Sequence, residues 1–240
     1  PAQHTGLYKI VPSDDTQDYG AILIRYGRKN VSFSSSPEFY YSFPLLAQKG
    51  SCNLSSVSAS TMGNALNYGE VANLSDEPQI VSVEIDAFRP RGEIETFRFE
   101  ETIPANSQFH IPLQDFLGPQ TVGRLRVRCV DPQPDDGLLV QSVFYGGSNP
   151  ALFNYDWSYA TQAKDFSGSA FIGIGSIYNT EGTFNWAKIF NEEDEEKGSD
   201  ITVTYEASEM LSTSITVRKG LNLYDRFARV ARAIEGKIIR

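Results

Sequence analysis

The chain has 240 residues, of which 30 are acidic and 21 basic, and its formal net charge is −9. This balance argues against nonspecific nucleic-acid binding, because such binding needs Lys and Arg to neutralise phosphates. No apolar run approaches the roughly 20 residues of a transmembrane helix. We therefore expect neither a nucleic-acid partner nor a membrane span.

A repeated segment organises the sequence. Gly6–Gly27 and Gly123–Gly146 each contain two β-like runs around a polar turn, which predicts a hairpin in each. The last residues, Gly236–Arg240, resemble the start of a third copy. The pattern Asn-aromatic-x-x-β-branched-x-Asn also occurs twice, starting at Asn67 and, 118 positions later, at Asn185. Landmarks that keep their order along the chain predict a duplicated module.

Two domain divisions fit this period. In the favoured one, the first module spans residues 50–146 and the second spans 168–240, closed by the N-terminal hairpin 6–27, because this division keeps neighbouring strands together. The other division is 1–122 and 123–240. In the favoured division, three roles are open for the N-terminal hairpin. It closes the second module in cis, it inserts into another chain in trans, or the chain is an excerpt of a longer repeat protein.

Alternating and β-branched runs predict the strands. Ile80–Phe88 and Ile94–Glu100 flank a turn with Pro and Gly, and Ile201–Glu206 and Ser212–Val217 form a similar pair, so each pair predicts a hairpin. Further short strands are predicted at Gln108–Leu113, Gly123–Val130 and Leu138–Tyr145. The fold class predicted from this spacing is all-β, with two repeated antiparallel β-sandwich modules.

One segment departs from the strand pattern. Apolar residues follow helical spacing over residues 223–234, Asn222 suits an N-cap, and Gly236 lies just past the end. The sequence therefore predicts one short helix at residues 223–234. The equivalent segment of the first copy, residues 115–122, contains Gly and Pro, so its helix should be shorter or absent.

A search for catalytic chemistry gives little. His4 and His110 are the only histidines and have no metal-ligand spacing. The acidic turns at residues 13–18 and 131–136 lack the spacing of a calcium-binding loop, so we interpret them as solvated turns. We predict no catalytic residue, no metal site and no cofactor, and a protein that is not an enzyme.

The two cysteines leave two alternatives open. Cys52 and Cys129 lie far apart in sequence and neither has a counterpart in the other copy. They form one disulfide in an oxidising compartment, or they are two buried thiols.

Aromatic residues are concentrated in the long connections at residues 28–50 and 147–168. Exposed aromatic faces stack well against sugar rings, so we predict ligand-binding residues among them. Burial against the sandwich is the alternative interpretation. The predicted binding residues are Tyr40, Tyr41, Trp157 and Tyr159.

The chain resembles the tandem immunoglobulin-like β-sandwich modules of bacterial surface and secreted proteins. The resemblance lies in Asn67-Tyr68 and Asn185-Trp186, the paired strands of residues 80–100, the strand after Gly123, and the closing Phe-Tyr-Gly that ends at Gly146. It implies an extracellular or cell-surface location, with the periplasm as a further option, and a structural or adhesive role with a glycan, a protein or another copy as partner. The alternative function is a carbohydrate-binding module that uses the aromatic connections.

Overall fold

The structure is a computed structural model. It describes residues 22–29, 38–46, 50–89, 93–132, 137–147, 155, 157–163, 175–176, 186–190, 201–208, 211–217, 222–226 and 238–239. For residues 25–29, 38–42 and 46, and for the described residues from 175 onward, the description covers the backbone alone. The chain divides into two compact units, residues 1–166 and 167–240.

The described part of the first unit consists almost entirely of short strands. Its described elements, in chain order, are β1 (Ile22–Lys29), β2 (Glu38–Leu46), β3 (Ser55–Ser60), a 3-10 turn (Met62–Asn64), β4 (Leu66–Asn73), β5 (Gln79–Phe88), β6 (Ile94–Ile103), β7 (Gln108–Pro112), the single-turn helix α1 (Gln114–Leu117), β8 (Val122–Cys129), β9 (Leu138–Gly146) and β10 (Trp157–Gln162).

Eight of these strands form two four-stranded antiparallel sheets. One has the order β10-β9-β4-β7 and the other the order β3-β8-β5-β6. Both sheets contribute side chains to one buried apolar cluster, as in a β-sandwich. The predicted all-β fold with antiparallel sandwich sheets is therefore confirmed, while the predicted duplication of the module stays a prediction.

The core follows from the strict alternation of the strands. In β5, Val83 and Ile85 are fully buried, whereas the intervening Glu84 lies on the outer face. They pack with Leu125 of the same sheet and with Val71 and Val140 of the other. Removing this apolar area from water is the main term that stabilises the sandwich.

The predicted hairpins at residues 80–100 and 201–217 are confirmed. Strand β5 pairs along its whole length with β6. On β6, Phe97 and Phe99 pack against the core. Phe99 stacks on Phe116 of α1, and Phe97 meets the same ring edge to face. The helix predicted to be short or absent in this copy is α1, which is a single turn and ends at Gly118.

The predicted hairpin at Gly123–Gly146 is wrong. Its two runs are β8 and β9, but β8 pairs with β3 and β5 in one sheet, whereas β9 pairs with β4 and β10 in the other. Two strand-like runs around a polar turn predict two strands but not their partners. The same local pattern occurs in a hairpin and in a connection that passes from one sheet of a sandwich to the other. The crossing places Leu125 of β8 and Val140 of β9 on opposite sides of one core.

Residues 50–146 consequently share one sandwich. Because β8 pairs with β5 and β9 pairs with β4, a boundary at residues 122 and 123 would cut through both ladders. Strands β1 and β2 pair with each other, and Phe43 and Leu45 of β2 are buried against Val143 on the outer face of β9. Residues 22–27 of the N-terminal hairpin lie in this ribbon. Residues 6–21 lie outside the described residues, so closure of the second module by that hairpin stays a prediction.

The second unit is described as paired strands. They are β11 (Gly175–Ser176), β12 (Trp186–Phe190), β13 (Ile201–Ser208), β14 (Leu211–Val217), β15 (Asn222–Arg226) and β16 (Ile238–Ile239). The antiparallel pairs are β11 with β16, β12 with β15, and β13 with β14.

The predicted helix at residues 223–234 is wrong in its first part. Asn222 is the first residue of β15 and pairs with Phe190, so it does not cap a helix. Helical spacing of apolar residues is a weak signal, and a ladder with a neighbouring strand satisfies the backbone groups of residues 222–226 instead. Residues 227–234 lie outside the described residues.

Two asparagines of the repeated landmark join elements that are distant in sequence. Asn67 of β4 is fully buried; its Oδ1 accepts from the Ser60 N–H at 2.8 Å, and its Nδ2 donates to Ser142 Oγ at 2.8 Å and to the Val143 carbonyl at 3.0 Å. Asn73 Nδ2 donates to the Ile103 carbonyl at 3.1 Å. Both side chains thus serve as hydrogen-bond partners of the backbone.

The structure decides between the two alternatives for the cysteines, a disulfide or two buried thiols. Cys52 precedes β3 and Cys129 ends β8, and they form a disulfide with their Cα atoms 5.0 Å apart. The bond joins positions separated by 77 residues and ties the start of the edge strand β3 to a central strand of the same sheet.

We expect Asn67→Asp to lower the free energy of unfolding by about 1–3 kcal/mol. The substitution keeps the shape of the side chain, but it replaces the Nδ2 donor with an acceptor facing the Val143 carbonyl. Urea unfolding of the full chain, followed by circular dichroism, measures the change. The matched control is Asn53→Asp at an exposed asparagine, and equal midpoints for the two variants would contradict the role assigned to Asn67.

Candidate functional site

The predicted binding aromatics lie in two strands. Trp157 and Tyr159 belong to β10, and Tyr40 and Tyr41 belong to β2. Strand β2 packs on the outer face of β9, whereas Trp157 and Tyr159 lie on the inner face of the sheet. The structure describes the side chains of the β10 pair only, so the site is built from these two.

The β10 aromatics are completed by two residues of β9. Trp157 pairs with Gly146 and Tyr159 pairs with Phe144, so the four residues share one face of the sheet. We call this set (Phe144, Gly146, Trp157 and Tyr159) the aromatic shelf. The sequence analysis missed Phe144 and Gly146 as site residues, because their place beside the β10 rings depends on the register between two strands.

The rings of the aromatic shelf are close to parallel. The Tyr159 and Phe144 centroids are 4.4 Å apart with an interplanar angle of 15°, and the Trp157 and Tyr159 centroids are 5.8 Å apart with an angle of 19°. Phe144 is only 1% exposed, whereas Trp157 and Tyr159 are 40% and 45% exposed. The buried ring of Phe144 thus supports the exposed ring of Tyr159, on which Trp157 stacks in turn.

Gly146 explains how the indole can lie so close to the sheet. A Cβ at this position would overlap Cζ2 and Cε2 of Trp157, so only glycine leaves room for the ring. Strand β10 itself is fixed to β9 by the Ser158 hydroxyl, which donates to the Phe144 carbonyl at 2.7 Å. These contacts hold the exposed rings on a regular strand.

A charged cluster lies on the outer face of the other sheet. The Asp86 carboxylate is 1% exposed and accepts hydrogen bonds from Arg124 Nε at 2.9 Å and from Arg126 at 3.1 Å. Thr96 Oγ1 donates to its second oxygen at 2.7 Å. Glu84 pairs with Arg126 and with Arg98. Both carboxylates are engaged by cations, so the arrangement suits a structural role more than proton transfer.

A polar row crosses the outer face of the sheet that carries the aromatic shelf. Gln141 of β9, Glu70 of β4 and His110 of β7 occupy directly opposed positions. Gln141 Nε2 donates to Glu70, and both residues are buried. His110 lies in a strand as predicted, and its Nε2 is buried without a hydrogen-bond partner.

A cavity of about 250 Å³ opens at the end of the sandwich. Its lining is Thr61, Asn64, Ala65, Gln114, Gly118 and Pro119. The two longest polar side chains are already engaged, since Asn64 accepts from Gln120 at 2.8 Å and Gln114 accepts from the Asn67 N–H at 3.2 Å. With no titratable group in its lining, this cavity offers little for catalysis.

Two further searches concern the described part of the chain. Within it, no three His, Cys, Asp or Glu residues are grouped so that they could hold a metal ion. Within the same residues, no helix is both long enough and apolar enough to span a membrane. His4 and the acidic turn at residues 13–18 lie outside the described residues.

Comparison with known proteins identifies no relative: no protein-family model matches the chain, and no characterised protein matches it in sequence.

We expect Asp86→Ala to lower the free energy of unfolding by about 3–5 kcal/mol, because it leaves the buried Arg124 without its counter-charge. The control is Glu95→Ala, whose partner Arg89 and own side chain are 29% and 51% exposed; we expect a loss below about 1 kcal/mol there. Urea unfolding measures both. A small loss for Asp86→Ala would show that the cluster is not a structural element.

Proposed function

We propose that this chain is a non-enzymatic structural or adhesive protein, secreted or displayed at a cell surface, and built from tandem immunoglobulin-like β-sandwich repeats. The observation that carries the proposal is the disulfide between Cys52 and Cys129. Disulfides persist in oxidising compartments and are rare in the reducing cytosol.

The position of the disulfide fits a protein that must stay folded without cellular assistance. Strand β3 is an edge strand of its sheet, with β8 as its partner in the described structure. Edge strands separate from a sheet more easily than central ones, because one ladder of hydrogen bonds holds them. The bond ties residue 52, just before β3, to the end of β8, so this end of the edge strand stays tethered even when its ladder opens.

The charged cluster around Asp86 also supports a structural role. Its cross-strand pairs join β5 to β8 and β6, with Asp86 against Arg124 and Glu84 against both Arg126 and Arg98. Opposed charges on neighbouring strands stabilise a sheet and specify its register. These charged groups stabilise the sheet, and a stalk or scaffold module requires a stable fold.

Replacing both cysteines with alanine should lower the free energy of unfolding by about 2–5 kcal/mol, because the bond constrains a long loop of the unfolded chain. Thermal unfolding with and without reductant measures this: the wild type should lose stability on reduction and the double variant should not respond. Mass spectrometry of protein from its native source gives the second test. Two free thiols there, or a cytosolic location by fractionation, would overturn the proposed function.

Strand complementation is the further part of the proposal. Because residues 22–27 pair with β2, the segment before β1 is the part that would complete the second unit, in cis as the favoured division has it or in trans in another chain. Pairing in trans would produce oligomers. Deleting residues 1–21 leaves β1 and its pairing with β2 intact. Light scattering should then show loss of oligomers with the first unit still folded. A wild-type chain that is already monomeric, with the deletion weakening the second unit, would favour closure in cis instead.

A further inference from the structure

We propose that the aromatic shelf binds uncharged polysaccharide, which packs on the aromatic surface that Trp157 and Tyr159 form together. This inference deepens the proposed function by naming the partner of the adhesive surface, and it rests on that function for the setting in which the protein meets polysaccharide. The binding itself is a property of the folded first unit.

The geometry of the rings provides the first argument. Trp157 and Tyr159 occupy alternate positions of one strand, and their planes differ by 19°. A sugar ring presents a flat apolar face of C–H groups, which packs on the electron-rich face of an aromatic ring. The two rings are stacked with their centroids 5.8 Å apart, so they form one continuous aromatic surface that suits an extended ligand with apolar faces.

Pre-organisation provides the second argument. Phe144 lies stacked against Tyr159, and Gly146 lies under the indole of Trp157. Rings that are held in place before binding lose little conformational entropy when the ligand arrives. Their exposed fractions of 40% and 45% leave substantial aromatic area for contact.

The absence of charge provides the third argument and selects the class of ligand. Strands β9 and β10 contain no Asp, Glu, Lys or Arg, whereas β5, β6 and β8 contain several. The whole chain carries a net charge of −9, which opposes nucleic acids and acidic glycans. A neutral sugar polymer can stack on the aromatic shelf without a charged protein group to balance it.

Retention of the purified full-length protein on cellulose, xylan and mannan tests the proposal, with polygalacturonate as the acidic control. We expect retention on at least one neutral polymer and none on the acidic one. Trp157→Ala and Tyr159→Ala should each weaken binding about tenfold. Trp157→Phe should retain part of it, because a ring remains.

Gly146→Ala is the sharpest variant. It should displace the indole and weaken binding while both exposed rings remain in the chain. Matched controls are Ile80→Ala and Ile94→Ala, which remove apolar side chains that are 49% and 40% exposed on the other sheet. These controls should bind as the wild type does, and thermal unfolding verifies that every variant is folded.

A spectroscopic readout follows from the two tryptophans of the chain. In a Trp186→Phe background, Trp157 is the single reporter, and a soluble oligosaccharide of the retained polymer should change its emission. No retention of the wild type on any neutral polymer would overturn the proposal, as would full binding by the Trp157→Ala, Tyr159→Ala double variant. A concentration-dependent dimer that this double variant abolishes would also overturn it, by assigning the shelf to a second copy.

The outcomes for the shelf and for the proposed function are separable. Oxidised cysteines in protein from its native source, without polysaccharide binding, would leave the structural role standing and reject the shelf. Polysaccharide binding by a protein with free thiols in the cytosol would reject the location while leaving the binding chemistry intact.

Discussion

The relative position of the two sheets in the first unit depends on a buried amide. The two sheets of a sandwich share no backbone ladder, so their relative position rests on side-chain contacts. Asn67 lies in the sheet of β9 and β4 but accepts a hydrogen bond from the Ser60 N–H, in the opposite sheet. Its Nδ2 donates to the Val143 carbonyl of β9. One side chain thus fixes both sheets, and full pairing keeps the burial of its polar atoms from being destabilising.

Local alternation predicts most strands of this chain, because side chains on a strand change face with period two. It does so for β5 and β6, where Val83 and Ile85 face the core and Phe97 and Phe99 complete it. It does not predict partners. The two runs of Gly123–Gly146 look like a hairpin because the turn between them is local, whereas the pairing of β8 with β5 depends on residues some forty positions away. The local pattern of one sequence therefore does not predict which sheet each strand joins.

The helix predicted at residues 223–234 is a second case in which a local pattern fails to predict strand pairing. In the first unit, β4 and β7 pair with each other, and the hairpin β5–β6 lies between them in the chain. In the second unit, β12 and β15 pair with each other, and β13–β14 lies between them. A duplicated module would produce this nesting, and it requires a strand at Asn222. The pattern of apolar residues over 223–234 includes residues 223–226 of that strand, so helical spacing alone does not distinguish a helix from a strand there.

The sequence predicts two of the four residues of the candidate site. Trp157 and Tyr159 are identifiable as aromatics at alternate positions, but Phe144 and Gly146 join them only through the register of β9 with β10. That register is tied to the core: Asn67 lies directly opposite Phe144 in the neighbouring strand, and Phe144 supports Tyr159. The interaction that positions the two sheets therefore also positions the rings. Because β9 and β10 carry no charge, a ligand that covers these rings displaces water from apolar area without desolvating an ion, and such area favours a flat, neutral partner.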